Sequence, residues 1–305
     1  MTRMPLPVLA GPASRRSVLG LSLAGLSAIV GVGRGVAQPA PPRIVAAGGV
    51  VTEILYAIGQ EGLLVGIDAT SLHPPQAMRD KPNVGYFRAL SVEGVLSLRP
   101  THVLATEGAG PPDALKLIAE AGVRVERLSE DLTPKGVTDR IRRIGAFAGA
   151  PDRAEALAAE VEGRFAALSR QPVAVPRKRV LFVLSLQNGR ALVGGRKTAA
   201  DAMIALAGAT NAAEAVEGYK PLTDEGIISA APDAVLMMSH ANHAAAADEV
   251  FSRAAFAATP AARTRALVVM DGLYLLGFGP RTPDAARDLM AAVYGETPGR
   301  QSVRQ

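Results

Sequence analysis

Cysteine and tryptophan are absent from the 305 residues, and histidine occurs four times. Without cysteine the chain can form neither a structural disulfide nor a lipid-modified cysteine start. Without indoles, a tryptophan-lined sugar groove is excluded. The sequence contains no HExxH and no Gly-x-Ser-x-Gly, so the usual zinc-protease and serine-hydrolase signatures are missing. A phosphate loop fails on spacing: counted from Gly189, the lysine would fall at 195, which is glycine. Acidic residues are missing from the first 37 positions, which hold Arg3, Arg15, Arg16 and Arg34. Taking those four from the 33 basic side chains leaves 29 against 28 acidic ones, so the net charge of +5 is no sign of nucleic-acid binding.

That leading stretch reads as an export signal over residues 1–37. Ser14-Arg15-Arg16-Ser17-Val18-Leu19 is followed by an apolar run to Val32 and by Gly35-Val36-Ala37, a small-x-small cleavage site. The arginine pair predicts the twin-arginine route and cleavage after Ala37. The run of about 15 apolar residues falls short of the roughly 20 needed to span a bilayer, so a periplasmic mature protein is expected.

What is present is a repeat. Ser91, Glu93, Gly94, Val95, Leu96, Ser97, Pro100, Val103 and Leu104 return in order as Thr223, Glu225, Gly226, Ile227, Ile228, Ser229, Pro232, Val235 and Leu236. Each copy supplies a hydroxyl cap, an acid in the first helical turn, an apolar pair, a proline stop and a β-prone run. Gly85-Tyr86 has a counterpart in Gly218-Tyr219, shifted by one residue. Two copies predict two similar lobes.

Along the chain, strands are expected at 43–47, 64–67, 102–105, 123–128, 179–184, 191–193, 234–238 and 266–270. Helices are expected near 51–58, 91–97, 113–121, 152–169, 198–206 and 223–229, and after Pro283. Asp152 and Thr282 are the expected caps of the two outer ones. The alternation argues for α/β sheets of mostly parallel character. Ala154, Leu157, Ala158, Val161, Phe165 and Leu168 recur at helical spacing, which predicts one long connecting helix. The resulting domains are 43–150, a helix at 151–171, a second lobe at 177–295 and a tail at 296–305.

Five segments, GGVVTEILYAIG, VGYFRALSVEGVLSLRP, TAADAMIALAG, GYKPLTDEGIISAAPD and LLGFGPRTP, resemble the periplasmic haem-binding proteins of bacterial ABC importers, within the group that also carries cobalamin and iron siderophores. The resemblance implies two α/β lobes joined by one long helix, and a soluble carrier that captures haem in the cleft and passes it to an inner-membrane permease dimer. An outer-membrane haem receptor would act indirectly. It implies that Tyr86 ligates haem iron, and a hard phenolate donor does suit ferric iron. Arg88 is read as a phenolate stabiliser, a propionate partner or an exposed loop charge. Tyr219 and Lys220 are further candidates for the same cleft.

Some members of that group carry a histidine after the first strand of the second lobe. LFVLSLQNG has none, so a second iron bond from there is not expected. His240 and His243 could substitute. His102 is expected to be structural, and His73 is uninformative. Glu53 and Glu225 are taken, by resemblance, as one permease-docking acid per lobe, with helix-dipole compensation as the plain alternative. The competing functions are a cobalamin or ferric-siderophore carrier of the same fold, and a metal-dependent hydrolase built on His240 and His243. No enzyme activity and no metal other than haem iron are expected.

Overall fold

The computed structural model describes residues 40–172, 175–187, 190–239 and 247–295. The expected leader and the tail beyond Gly295 lie outside these residues, as do His240 and His243. In the first half, β1 (Ile44–Ala47) leads into α1 (Gly49–Ala57), β2 (Leu64–Ile67), α2 (Gln76–Asp80), α3 (Val92–Ser97), β3 (His102–Thr106), α4 (Pro112–Glu120) and β4 (Arg124–Leu128). The four strands form a parallel sheet in the order β2-β1-β3-β4. All four residues of β1 are buried, as expected for a strand covered on both faces.

Two helices follow, α5 (Pro134–Phe147) and α6 (Pro151–Ser169). The sequence reading passed over α5. Thr133 caps it by accepting a 3.0 Å bond from Gly136 N–H, and Val137, Ile141 and Ile144 form its buried stripe. The long helix appears as expected, but it starts at Pro151 after Ala150, so Asp152 lies inside the first turn and does not cap it. It packs against α5, where Arg142 bonds Glu155 at 2.7 Å.

The second half contains β5 (Arg179–Gln187), β6 (Arg190–Gly194), α7 (Ala199–Leu206), β7 (Thr210–Asn211), β8 (Tyr219–Leu222), α8 (Asp224–Ala230) and β9 (Ala234–Ser239). It continues with α9 (Ala247–Phe251), α10 (Ala254–Ala257), α11 (Pro260–Thr264), β10 (Leu267–Asp271), α12 (Gly272–Leu276) and α13 (Thr282–Tyr294). The sheet order is β10-β9-β5-β6-β8, with β7 against β5. This sheet is mixed: β10, β9, β5 and β7 are parallel, β6 runs against β5, and β8 runs against β6 and so in the direction of β5. Only two residues separate β5 from β6, too few for a parallel crossover. At α13 the expected cap is displaced: Thr282 is the first helical residue, and its buried hydroxyl donates to Gly279 O at 2.8 Å.

The repeat is real in three dimensions. Ser91 Oγ accepts from Gly94 N–H and Thr223 Oγ1 from Gly226 N–H, each at 3.1 Å. The helices they cap lead to β3 and β9, which lie parallel to β1 and β5, the first strand of each half. One continuous apolar core then joins the lobes, with Ile54, Leu104 and Ile144 from the first, Phe165 from α6, and Phe182, Leu236, Phe278 and Leu289 from the second.

Candidate functional site

Residues 83–90 form a fixed loop at the edge of the first lobe. Asn83 Oδ1 accepts from Gly85 N–H at 2.8 Å, Ala69 N–H donates to Gly85 O at 2.8 Å, and Gly110 N–H donates to Phe87 O at 2.9 Å. Gly85 sits at φ +95°, a conformation that suits glycine. This turn presents Tyr86, which is 48% exposed and meets the Phe87 ring edge-on at 5.0 Å and 76°. In an extended segment Arg88, two residues on, would leave the same face as Tyr86, but Phe87–Ala89 is a 3-10 turn. Arg88 instead places its Cζ 4.9 Å from the Phe87 ring centroid.

Tyr219 opens β8, the edge strand of the second sheet, after Gly218 at φ +73°. The counterpart of the Tyr86 loop is therefore a strand, although a glycine at positive φ precedes the tyrosine in both copies. Tyr219 is 38% exposed and stands edge-on to Phe182 at 6.4 Å. Burial pushes its phenol up; Arg88 opposes that rise and Glu130 adds to it, both from the first lobe, and contacts to Thr198 and the Ala200 backbone also oppose it. The charges of Arg88 and Glu130, on the first lobe, thus act on the Tyr219 phenol of the second. Lys220 is exposed but follows Tyr219 along the strand and leaves from its other face, so the two do not share one wall.

Glu130, whose charge acts on the Tyr219 phenol, is a residue that the sequence did not single out. Its N–H donates to Glu107 Oε2 at 3.1 Å, so two exposed acids stand together beyond the carboxyl ends of β3 and β4. Position was the available signal, since ligands of open α/β sheets collect at that edge.

Glu53 differs from expectation. Helix α1 begins at Gly49, which puts Glu53 in the second turn, and it is 5% exposed. Both its oxygens accept from Arg281, Oε1 from Nε and Oε2 from Nη2, each at 2.9 Å. A buried, paired acid is not a projecting knob, so the expected docking role of Glu53 is corrected to a tie between the lobes. Glu225 is exposed in the first turn of α8, and its repeat counterpart is Glu93, exposed in the first turn of α3.

LLGFG is likewise structural in position. Leu275 and Phe278 are fully buried, and Phe278 O accepts from Arg140 Nη1 at 2.8 Å. His102 is half-buried at the start of β3, edge-on to Phe147 at 4.7 Å, with Nδ1 2.8 Å from Thr101 Oγ1. His73 is half-buried near Arg281, Glu53 and Asp271, which makes it more informative than its loop sequence suggests. Among the described residues no three His, Asp or Glu side chains cluster as a metal site, and no helix is long and apolar enough to cross a membrane.

Residues 44–273 match the sequence profile of a family described as periplasmic binding protein. The solved apo form of the periplasmic heme-binding protein RhuT from Roseiflexus sp. RS-1 is similar, with 39% identity and a TM-score of 0.78, over 84% of this chain and 98% of that one. An uncharacterized ABC transporter substrate-binding lipoprotein, YvrC of Bacillus subtilis, is 25% identical over 84% of this chain and 81% of its own length. A vitamin B12-binding protein of Photorhabdus laumondii is 30% identical over 43% of this chain and 47% of its own length.

Proposed function

The chain belongs to the periplasmic binding protein family, and on that premise we propose that it captures haem between its two lobes and delivers it to an ABC-type importer of the inner membrane. The observation that carries this reading is Tyr86: a half-exposed phenol on a hydrogen-bonded loop, with a guanidinium two residues on whose charge also acts on a second phenol, Tyr219, of the other lobe. In this reading Tyr86 is the iron ligand. Ferric iron favours the phenolate, which is a hard anionic donor. Arg88 takes a propionate, since a guanidinium fork suits a carboxylate. Tyr219, whose phenol is held neutral by burial, donates a hydrogen bond from the opposite wall. Lys220 can reach cargo only around the strand edge.

The haem reading is favoured over cobalamin by identity: the heme-binding RhuT structure is 39% identical over 98% of its length, whereas a solved vitamin B12-binding protein of Vibrio cholerae, covered over 97% of its length, is 22% identical. A ferric siderophore has no comparable support here. The similar proteins are carriers, and the hydrolase alternative depended on His240 and His243, which lie outside the described residues. We assign the first lobe to 43–150, the connector to 151–171 and the second lobe to 177–295, preceded by a twin-arginine leader that directs the chain to the periplasm. Glu93 and Glu225, one exposed acid on each repeat helix, are assigned to docking on the permease dimer, replacing the pair that included Glu53. An outer-membrane haem receptor would act upstream.

Titrating ferric haem into the purified mature chain tests the cargo. A saturable Soret band that Tyr86→Ala abolishes is expected. Binding of cyanocobalamin with no response to ferric haem would overturn the assignment.

A further inference from the structure

Among the described residues, neither the Tyr86 hydroxyl nor the Arg88 guanidinium has a hydrogen-bond partner or an acid against it. Yet both side chains are placed, and they are placed by the same neighbour. The Phe87 ring takes Tyr86 edge-on, with centroids 5.0 Å apart at 76°, and lies 4.9 Å from Arg88 Cζ. Both arrangements follow the charge distribution of an aromatic ring, negative over the face and positive at the edge. Phe87 is itself held: it packs on the apolar cluster that includes Val84, Leu90, Val95 and Leu115, and its carbonyl is bonded by Gly110 N–H. The guanidinium is confined on a further side by Gly108, where a Cβ would stand 3.4 Å from Cζ and from Nη1.

We infer that Phe87 is the positioning residue of the cleft: one ring sets the Tyr86 phenol and the Arg88 guanidinium together, fixing the spacing between an oxygen donor for iron and a cation for the cargo's carboxylates. This deepens the haem reading and rests on it. Arginine carries a large rotamer entropy when free, and binding must order it. Phe87 and the Gly108 backbone order it before cargo arrives. An aliphatic side chain would fill the same volume on the apolar cluster but could not supply the ring face, so positioning can be separated from packing.

The experiment compares wild type, Phe87→Leu, Phe87→Tyr, Arg88→Ala and the Phe87→Leu/Arg88→Ala double variant, each as the full mature chain. In the cargo-free protein, the Arg88 side-chain protons should be shifted upfield by the ring in wild type and Phe87→Tyr, and the shift should vanish in Phe87→Leu. Release of ferric haem to an excess of a scavenging globin should be roughly fivefold faster in Phe87→Leu and in Arg88→Ala. It should be near wild type in Phe87→Tyr, and the double variant should add little to either single change. Wild-type shifts and release in Phe87→Leu would overturn the inference. So would an undiminished Phe87→Leu effect in the Arg88→Ala background, which would reduce Phe87 to packing. If wild type bound no ferric haem while the shift was present and vanished in Phe87→Leu, the cargo assignment would fall and the positioning role would stand.

Discussion

Glu53 and Arg281 lie 228 positions apart and are joined by two hydrogen bonds of 2.9 Å. The acid belongs to the first helix of one lobe and the guanidinium to the turn entering the last helix of the other. Arg281 also lies over the Tyr274 ring at 5.1 Å, whose hydroxyl donates to Asp288 at 2.8 Å. This chain of contacts sits on the core shared by both lobes and holds their relative position.

Removing one partner of that pair leaves the other charge partly buried, an effect on the order of 3 kcal/mol. Glu53→Gln is therefore expected to lower the urea midpoint substantially, while Glu225→Gln, on an exposed helix turn, should leave it within about 0.5 kcal/mol of wild type. Equal, small effects in both variants would show that Glu53 is not a structural tie.

Arg140 is a second tie between the lobes. It is 5% exposed and donates only to carbonyls among the described residues: Phe278 O at 2.8 Å, Ser129 O at 2.8 and 3.2 Å, and Asp131 O at 3.5 Å. Arg140→Met keeps much of the volume and leaves these acceptors unpaired, at about 1 to 3 kcal/mol for each one that water cannot reach. Chemical denaturation should report a clear loss of stability, and hydrogen exchange should speed up around residues 129–131 and 278. A variant as stable as wild type would contradict the assignment.

The two phenols should separate by role. Tyr86→Phe is expected to abolish the phenolate-to-iron charge-transfer band while leaving the fold intact by circular dichroism. Tyr219→Phe should keep that band and weaken retention by a factor of about 5, the loss of one hydrogen bond. A reversal of the two phenotypes would move the iron ligand to the second lobe.

Stability should also depend on pH through two histidines. Burial, helped by Arg281, lowers His73, and burial, helped by Arg124, lowers His102, each from 6.5. Nearby acids oppose both shifts: Glu53 and Asp271 act on His73, and Glu126 acts on His102. The folded state thus favours the neutral imidazoles, and just below pH 6.5 the unfolded chain binds more protons than the folded one. Urea midpoints should rise with pH up to about 6.5 and flatten above it, with a shallower rise in a His73→Asn/His102→Asn variant. Midpoints that fall with rising pH over that window would contradict the sign.

Much of the architecture was legible because its determinants are local. The caps Ser91 and Thr223, the proline stops and the apolar runs at 44–47 and 234–238 act within a few residues, and each appears in the structure where it was expected. Helix α5 was passed over although its stripe of Val137, Ile141 and Ile144 was readable. The sheets are mostly parallel as expected, but the reversal at β6 and the existence of β8 were not readable, since pairing direction depends on chain reversal and not on residue type.

By itself the sequence determined two capped helix-strand repeats, a long helix between them, and a tyrosine introduced by glycine in each half. Only the tertiary structure decided that Glu53 is a buried tie, that Arg88 rests on Phe87, that Phe278 belongs to the core, and that the charges of Arg88 and Glu130 act on Tyr219. Capping and periodicity are short-range and are written in spacing. The partner of a charged or aromatic side chain is chosen by how two lobes pack, and no spacing along one chain encodes a contact across 228 residues.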